Sequence, residues 1–539
     1  MSSSSSSLPP SWAQPTKAFG SAVLGHRRHW HGDLGPLLRP IVRAYLLGYG
    51  FTVGPRLLTV LAKHLSQCLG AAKRQRATSE SLALPKQSSH LVESLCRILS
   101  AGAQVNHFPT FCAALVGGST LLEPLLRKAC ARILQNCSET NRIRLLRWLS
   151  SAISAWFAIQ LLQTPSLTHT DTKTPMQRDQ STSTSSPPTL PFTSTGKICK
   201  SSSETARPQA GRTLDLTLFA ATRALDVIIG ELWAQRRLHR APTASKATRA
   251  LDYITSLLTD PLIFSLTSGI VMWNWFYAPQ ALPRAYNKWI ASAASVDERL
   301  VVALQRCRAG ILRYGQDTGQ APLLRSMCND YAWPPVWGDP QHSIPFPCEM
   351  VHMGAGPSCE LHALRRFCRA WLWSMKTYLP LQLLMLVVRI RSRSSLLNVS
   401  RDFWRSLISA SRSSAFLGAF ITLFYYGVCL ARTRIGPLVL GTTASARDRI
   451  DGGLCVGAGC CLCGWSVLIE TASRRKELAL FVAPRAMATL LPRQYDAGRQ
   501  WMERAVFAAS TGVIFTCVLE NTRRVRGVFG SLLRTVLVA

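Results

Sequence analysis

Apolar positions along this chain gather into long segments set apart by polar ones. The first, Leu37–Leu61, is interrupted by arginines and prolines, so it reads as a buried or interfacial helix rather than a lipid-facing span. Leu91–Val116 reads as a helix broken near Pro109. Leu145–Leu162 approaches the roughly 20 apolar residues that a membrane span needs. Its small residues Ser150, Ser151, Ala152, Ser154 and Ala155 would let another helix come close. Leu214–Trp233 and Tyr253–Tyr277 follow. The second ends in WNWFY (Trp273–Tyr277), the composition of an aromatic belt at a membrane interface. Apolar segments resume at Tyr378–Val388, Phe403–Cys429, Leu454–Ile469, Leu478–Leu491 and Ala505–Leu519. Charges interrupt most of them, so spans built from them must turn polar faces toward each other or toward water.

The stretches between differ in kind. Residues 1–35 are Ser-, Pro- and His-rich, and residues 164–212 are Ser/Thr/Pro-rich with almost no apolar content; both compositions predict disorder. Within 278–377, Ser295–Leu312 predicts an amphipathic helix. Ser295 and Glu298 stand at capping-box spacing, and Val296, Leu300, Leu304, Cys307 and Ile311 line one side. Trp333–Pro347 reads as an ordered loop.

The two apolar halves repeat one another. LTLFAATRAL (Leu216–Leu225) aligns with LALFVAPRAM (Leu478–Met487), identical at six of ten positions, including Phe219/Phe481 and Arg223/Arg485. Phe264 and Gly269 match Phe507 and Gly512. Arg97, Leu99 and Phe108 match Arg405, Leu407 and Phe416, and Trp156 and Trp465 each follow a run of small residues. The matches keep the same order in both halves. The expected fold is therefore an all-α, multi-pass integral membrane protein with two internally repeated helical halves and a central connector. Its segments are a tail (1–35), the first helices (36–163), the insertion (164–212), the rest of the first half (213–277), the connector (278–377) and the second half (378–539).

Composition narrows the classes. Basic residues exceed acidic ones by 62 − 28 = 34, yet 47% of the 539 residues are apolar, and the arginines flank apolar segments. That placement suits a bilayer with anionic lipids and argues against nucleic acid as a partner. Seventeen scattered cysteines suit free thiols in a reducing compartment. The chain starts without the apolar core of a secretory signal, so the sequons at Asn136 and Asn398 read as chance matches.

The densest chemistry lies in Pro347–Cys368, PCEMVHMGAGPSCELHALRRFC. Cys348, His352, Cys359 and His362 form C-x3-H-x6-C-x2-H, four residue types that hold tetrahedral zinc. The loop Met353–Ser358 can fold the pairs together, and Ser358 can cap a helix that presents Cys359 and His362 on its first turn. This points to a structural zinc clip, the one cofactor candidate. The alternative is free thiols and loop histidines packed between the halves. Glu349 and Glu360 are nearby carboxylates, but nothing selects either as a catalytic base. Arg223 and Arg485, paired by the repeat, are candidates for a polar pathway or an anionic lipid contact, or else snorkel to the interface. HRRHWHGD (His26–Asp33) reads as a solvated basic tail. No phosphate loop, dinucleotide fingerprint or nucleophile elbow is present.

YAPQALPRAYNKWI (Tyr277–Ile290), the PCEMVH…SCELH block (Pro347–His362) and YLPLQLL (Tyr378–Leu384) resemble the transmembrane protein 135 family in a fungal-like form. That family's helical part is similar to mitochondrial translocase channel proteins and their peroxisomal relatives. The resemblance implies a non-enzymatic mitochondrial or peroxisomal membrane protein connected with organelle dynamics and lipid homeostasis, with other organelle membrane proteins as partners. It supplies no catalytic residues. The long insertion and the charged spans depart from it. A transporter or channel, suggested by the repeat, and a membrane enzyme using the Cys/His block are the alternatives.

Overall fold

The computed structural model describes residues 38–75, 87–102, 107–130, 132, 138–164, 209–240, 245–391, 399–521, 524–525 and 527–538. The expected tail, its His26–Asp33 motif and nearly all of the insertion lie outside these residues. Apart from one two-residue pairing, β1 (Gln209–Ala210) with β2 (Tyr495–Asp496), the described chain is helical.

The first half comprises α1 (Leu38–Gln75), α2 (Gln87–Gly102), α3 (Phe108–Ala129), α4 (Glu139–Gln163), α5 (Leu214–Arg240) and α6 (Lys246–Tyr277). The break near Pro109 falls where expected. Pro109 sits in the first turn of α3, where its missing N–H would be unpaired anyway. The connector holds α7 (Arg284–Ala294), α8 (Glu298–Arg308), α9 (Ala321–Asp330), the single turn α10 (Cys348–Val351) and the start of α11 (Cys359–Arg391). The 377/378 boundary falls inside α11, one continuous helix. The second half continues with α12 (Val399–Leu430), α13 (Gly436–Leu440), α14 (Ala444–Arg449), α15 (Cys455–Cys463), α16 (Ala472–Leu490), α17 (Gln500–Glu520) and α18 (Gly527–Leu537). Two turns with π-helical hydrogen bonding, Ala431–Ile435 and Ile450–Leu454, the second kinked at Gly453 (φ +148°), join α12 to α13 and α14 to α15.

Among the described residues, six stretches are long and apolar enough to cross a membrane: Phe108–Ala129, Glu139–Gln163, Arg249–Tyr277, Val399–Leu440, Ala444–Ile469 and Ala497–Glu520. The fold is thus an all-α, multi-pass membrane fold. The six are the same three helices taken once from each half: α3, α4 and α6, then α12, the α14–α15 stretch and α17. The matched Arg-bearing helices α5 and α16 are among them in neither half. Large apolar side chains face outward on the spans, with Phe157 and Leu266 at 62% and 68% exposed, as lipid contact requires.

Packing follows the repeat, with an exchange. Within each half the first two spans pair, α3 with α4 and α12 with α15. The third span crosses over: α6 packs on α15 and α16 of the second half, and α17 packs on α4 and α5 of the first. The matched residues mark it. Phe264 of α6 meets Phe416 of α12 at 5.7 Å between ring centroids, and Phe507 of α17 meets Phe111 of α3 at 6.0 Å. A Cβ on Gly269 would lie 3.1 Å from the Cys460 carbonyl oxygen, and one on Gly512 would lie 2.9 Å from the Trp148 ring. Small residues also permit the pairing inside each half. Ser154 of α4 donates to the Ala114 and Leu115 carbonyls of α3, at 3.0 and 2.8 Å. Gly427 of α12 faces Gly459 of α15 backbone to backbone.

Two local expectations are corrected. WNWFY is no interface belt: Trp275 and Phe276 are buried, and Phe276 stacks on Phe424 at 5.3 Å. The exchange places this end of α6 inside the molecule. The connector helix starts at Glu298 rather than Ser295. Asp297 caps it, accepting from the Arg299 N–H at 2.9 Å, while Ser295 adopts φ +47° as the C-cap of α7. A carboxylate held by Arg299 is the stronger cap.

Gly269→Val and Gly512→Val should each lower the thermal unfolding midpoint in detergent, followed by tryptophan fluorescence, because overpacking a helix contact costs about 1–3 kcal/mol. Gly50→Ala, where a Cβ meets no atom within 4 Å, should leave the midpoint unchanged or raise it.

Candidate metal centre

The site is assembled where the connector meets the second half. Pro347 precedes the single turn α10, and the His352 N–H closes that turn on the Cys348 carbonyl at 2.7 Å. The chain then reverses through Met353, Gly354 and Gly356, at φ +53°, +76° and +93°. Only glycine takes such angles without strain, and Gly356 uses its angle to aim a carbonyl at His352 Nδ1, 2.8 Å away. That acceptor places the proton on Nδ1 and leaves Nε2 with its lone pair free for a metal or a thiol. Ser358 then caps α11, its Oγ accepting from the Leu361 N–H at 3.3 Å, and this sets Cys359 at the head of the helix.

The group that could hold a metal ion is His352, Cys359 and Cys429, whose ligand atoms all lie within 4.8 Å of one another. Cys429 comes from the C-terminal end of α12, and His352 Nε2 is 3.4 Å from its sulfur. The Cys359 thiol also makes hydrogen-bonding contact with those of Cys348 and Cys429. Two thiols and one imidazole therefore converge, with the Cys348 thiol beside Cys359 but outside the group; all are ligand types of structural zinc. Burial pushes the Cys348 thiol up and the His352 imidazole down. Neutral imidazole is already the ligating form, and a cation bound to sulfur would take the place of the thiol proton.

Among the residues singled out by spacing, the structure brings His352 and Cys359 into the group, sets Cys348 beside Cys359 and leaves both Cys348 and His362 outside it. The correction is Cys429, which the spacing did not include. One helical turn after Cys359, the His362 ring instead stacks on His352, with centroids 4.3 Å apart and planes 12° from parallel. Tyr425 meets it edge-on. Burial, and then the neighbouring His352, push the His362 pKa down to about 3, so this ring stays neutral. Of the two nearby carboxylates, Glu360 is engaged by Arg434.

Cys429 carried no sequence signal of its own. It closes the apolar run Phe403–Cys429, where a cysteine acts as a small hydrophobe, and no spacing links it to residues seventy positions upstream.

A buried ion pair, also missed, lies beside the site. Arg432 grips Asp451 through Nε and Nη2 at 2.7 and 2.8 Å, joining the two π-helical turns. The Tyr314 hydroxyl donates to the same carboxylate at 2.5 Å, and the Tyr314 N–H donates to Asp448 at 2.9 Å. Burial, and then the Asp451 charge, hold the Tyr314 phenol well above its usual range.

The matched arginines take parallel but unequal places. Arg223 lies between the rings of Phe219 and Phe529 and pairs with Glu477 at 3.2 Å. Arg485 lies over Phe481, the match of Phe219, and faces Tyr286.

Comparison with protein-family models, curated proteins and solved structures gives no match. The protein is defined by its architecture: an all-α, multi-pass membrane fold with a Cys/His group at the joint between connector and spans.

Arg432→Met or Asp451→Asn alone leaves one buried charge uncompensated and should cost about 3–5 kcal/mol in detergent unfolding. Combining Arg432→Met with Asp451→Leu should restore most of that loss.

Proposed function

We propose that this is a non-enzymatic organelle membrane protein serving mitochondrial or peroxisomal membrane and lipid homeostasis, with a zinc ion fastening its connector to its spans. The observation that carries the zinc reading is the convergence of His352 and Cys359 from the connector with Cys429 from a span, with the Cys348 thiol against Cys359. Three such donors leave a fourth tetrahedral position, which Cys348 would fill in a structural clip, and no carboxylate belongs to the group as a catalytic base. Zinc here would supply cross-linking rather than chemistry. It would bind the turn before α11 to the end of α12, next to the Arg432–Asp451 pair. The resemblance of Tyr277–Ile290, Pro347–His362 and Tyr378–Leu384 to the transmembrane protein 135 family supports the organelle and the lipid role.

A transporter is the second reading. The reciprocal packing of α6 and α17 favours it, because exchanged repeat halves are a common frame for alternating access. Reconstituted protein that moves a solute, with flux sensitive to Arg223→Ala or Arg485→Ala, would favour transport over the homeostatic role.

Metal analysis of the purified protein should find one zinc per chain. Cys359→Ser or Cys429→Ser should abolish it, and chelation should lower the unfolding midpoint. His362→Gln should keep the zinc; loss in that variant with retention in Cys429→Ser would restore the ligand set read from spacing alone. A tagged copy viewed against mitochondrial and peroxisomal markers should coincide with one of them, and placement in any other membrane rejects the organelle assignment.

A further inference from the structure

A cavity of about 350 Å³ lies between α6, α7, α12 and α16. Its walls are almost wholly apolar, with Phe264, Trp275, Tyr286, Trp289, Phe416 and Phe481 among them. Two of its few polar groups are already committed. Ser268 donates to the Phe264 carbonyl at 2.6 Å, and Tyr425 donates to that of Ala294 at 3.0 Å. The volume is that of a small-molecule pocket, at the low end of the usual range. Trp289 and Phe481 line it while remaining half exposed, so they form its mouth on the outer surface.

Arg485 stands at that mouth, its guanidinium 3.7 Å from the Phe481 ring centroid and 5.6 Å from that of Tyr286. Its one hydrogen bond goes to a carbonyl of its own helix, and no carboxylate among the described residues pairs with it. The repeat shows what is missing. Arg223 holds the matching place, between Phe219 and Phe529, and Glu477 neutralises it. The position matching Glu477 is Asp215, and its carboxylate is taken by Arg493 at 3.7 Å. The arginine of the first half thus takes its anion, Glu477, from the second half. The arginine of the second half stands beside an apolar slot and takes none from the first.

We infer that this cavity binds a long-chain carboxylate, its hydrocarbon chain among the aromatic walls and its head group on Arg485. The slot accepts one chain. The guanidinium supplies two parallel N–H donors matched to a carboxylate. The inference deepens the lipid reading above and needs from it only a membrane setting. Binding is scored on purified protein, so a protein found in the wrong organelle that still binds the acid overturns the earlier reading and leaves this one standing.

The test is photolabelling of the full chain in non-ionic detergent with diazirine-bearing palmitic acid, beside the alcohol of the same chain and a diazirine phosphatidylglycerol. The acid should label Trp289–Ala294 and Phe416–Phe424, and unlabelled palmitate should compete. Arg485→Ala should weaken labelling by the acid about tenfold or more, as loss of a charge-assisted hydrogen bond does, and leave the alcohol unchanged. Arg223→Ala should leave both unchanged. Ala293→Trp, which fills the slot, should suppress both probes, and Ser268→Leu offers a second filling variant should the first not fold. Equal labelling by acid and alcohol with no effect of Arg485→Ala overturns the inference. So does labelling spread over the outer surface and indifferent to both filling variants, or preferential labelling of the cavity by the two-chain phospholipid.

Discussion

The joint between connector and spans hangs on one buried charge pair. Arg432 and Asp451 sit on the two π-helical turns, which end one span and begin the next. Neither charge has access to water, so each is tolerable only while the other is in place. This ties together three elements distant in sequence, since Tyr314 of the connector donates to the same carboxylate. The Cys/His group stands on the same ledge: Cys429 is three residues before Arg432, so whatever fixes the pair also fixes one corner of the metal centre.

The helices and their membrane character were legible because apolar runs of sufficient length have few other uses. The repeat was legible because Phe219 and Arg223 recur as Phe481 and Arg485 in the same register, and the structure gives that register a meaning, a guanidinium lying on the ring four residues before it. Two of the site residues, His352 and Cys359, were legible from local spacing. The exchange of α6 and α17 was not, since an apolar face states that it will be buried and leaves open which half buries it. For that reason WNWFY read as an interface belt, although its rings close a core that α12 completes. Cys429 escaped for the same reason: a thiol in an apolar run has no local neighbour that marks it as a ligand. The cap of α8 was misplaced by two residues because Ser295 and Glu298 satisfy the capping-box spacing, while Asp297 caps the helix with a charge.

The two halves share a plan and differ where chemistry is added. Each has a close small-residue pair of spans, an Arg-bearing helix and a third span that crosses to the other side. The second half adds the π-turns, the buried pair and the joint with the connector. The first keeps its arginine neutralised by Glu477. Duplication set the frame, and the sites arise from breaks in the symmetry.

The crossing of α6 and α17 bears on how the chain is made. When α6 leaves the ribosome, the helices that cover its Phe264, Trp275 and Phe276 do not yet exist; α12, α15 and α16 follow more than a hundred residues later. Until then its inward face has only lipid or a chaperone to meet. The first half lacks α17 until long after α5 is made, and α17 then has to enter between α4 and α5. Assembly of this fold is therefore a late, whole-chain event, and a truncated product ending in the connector would leave both interfaces unmade.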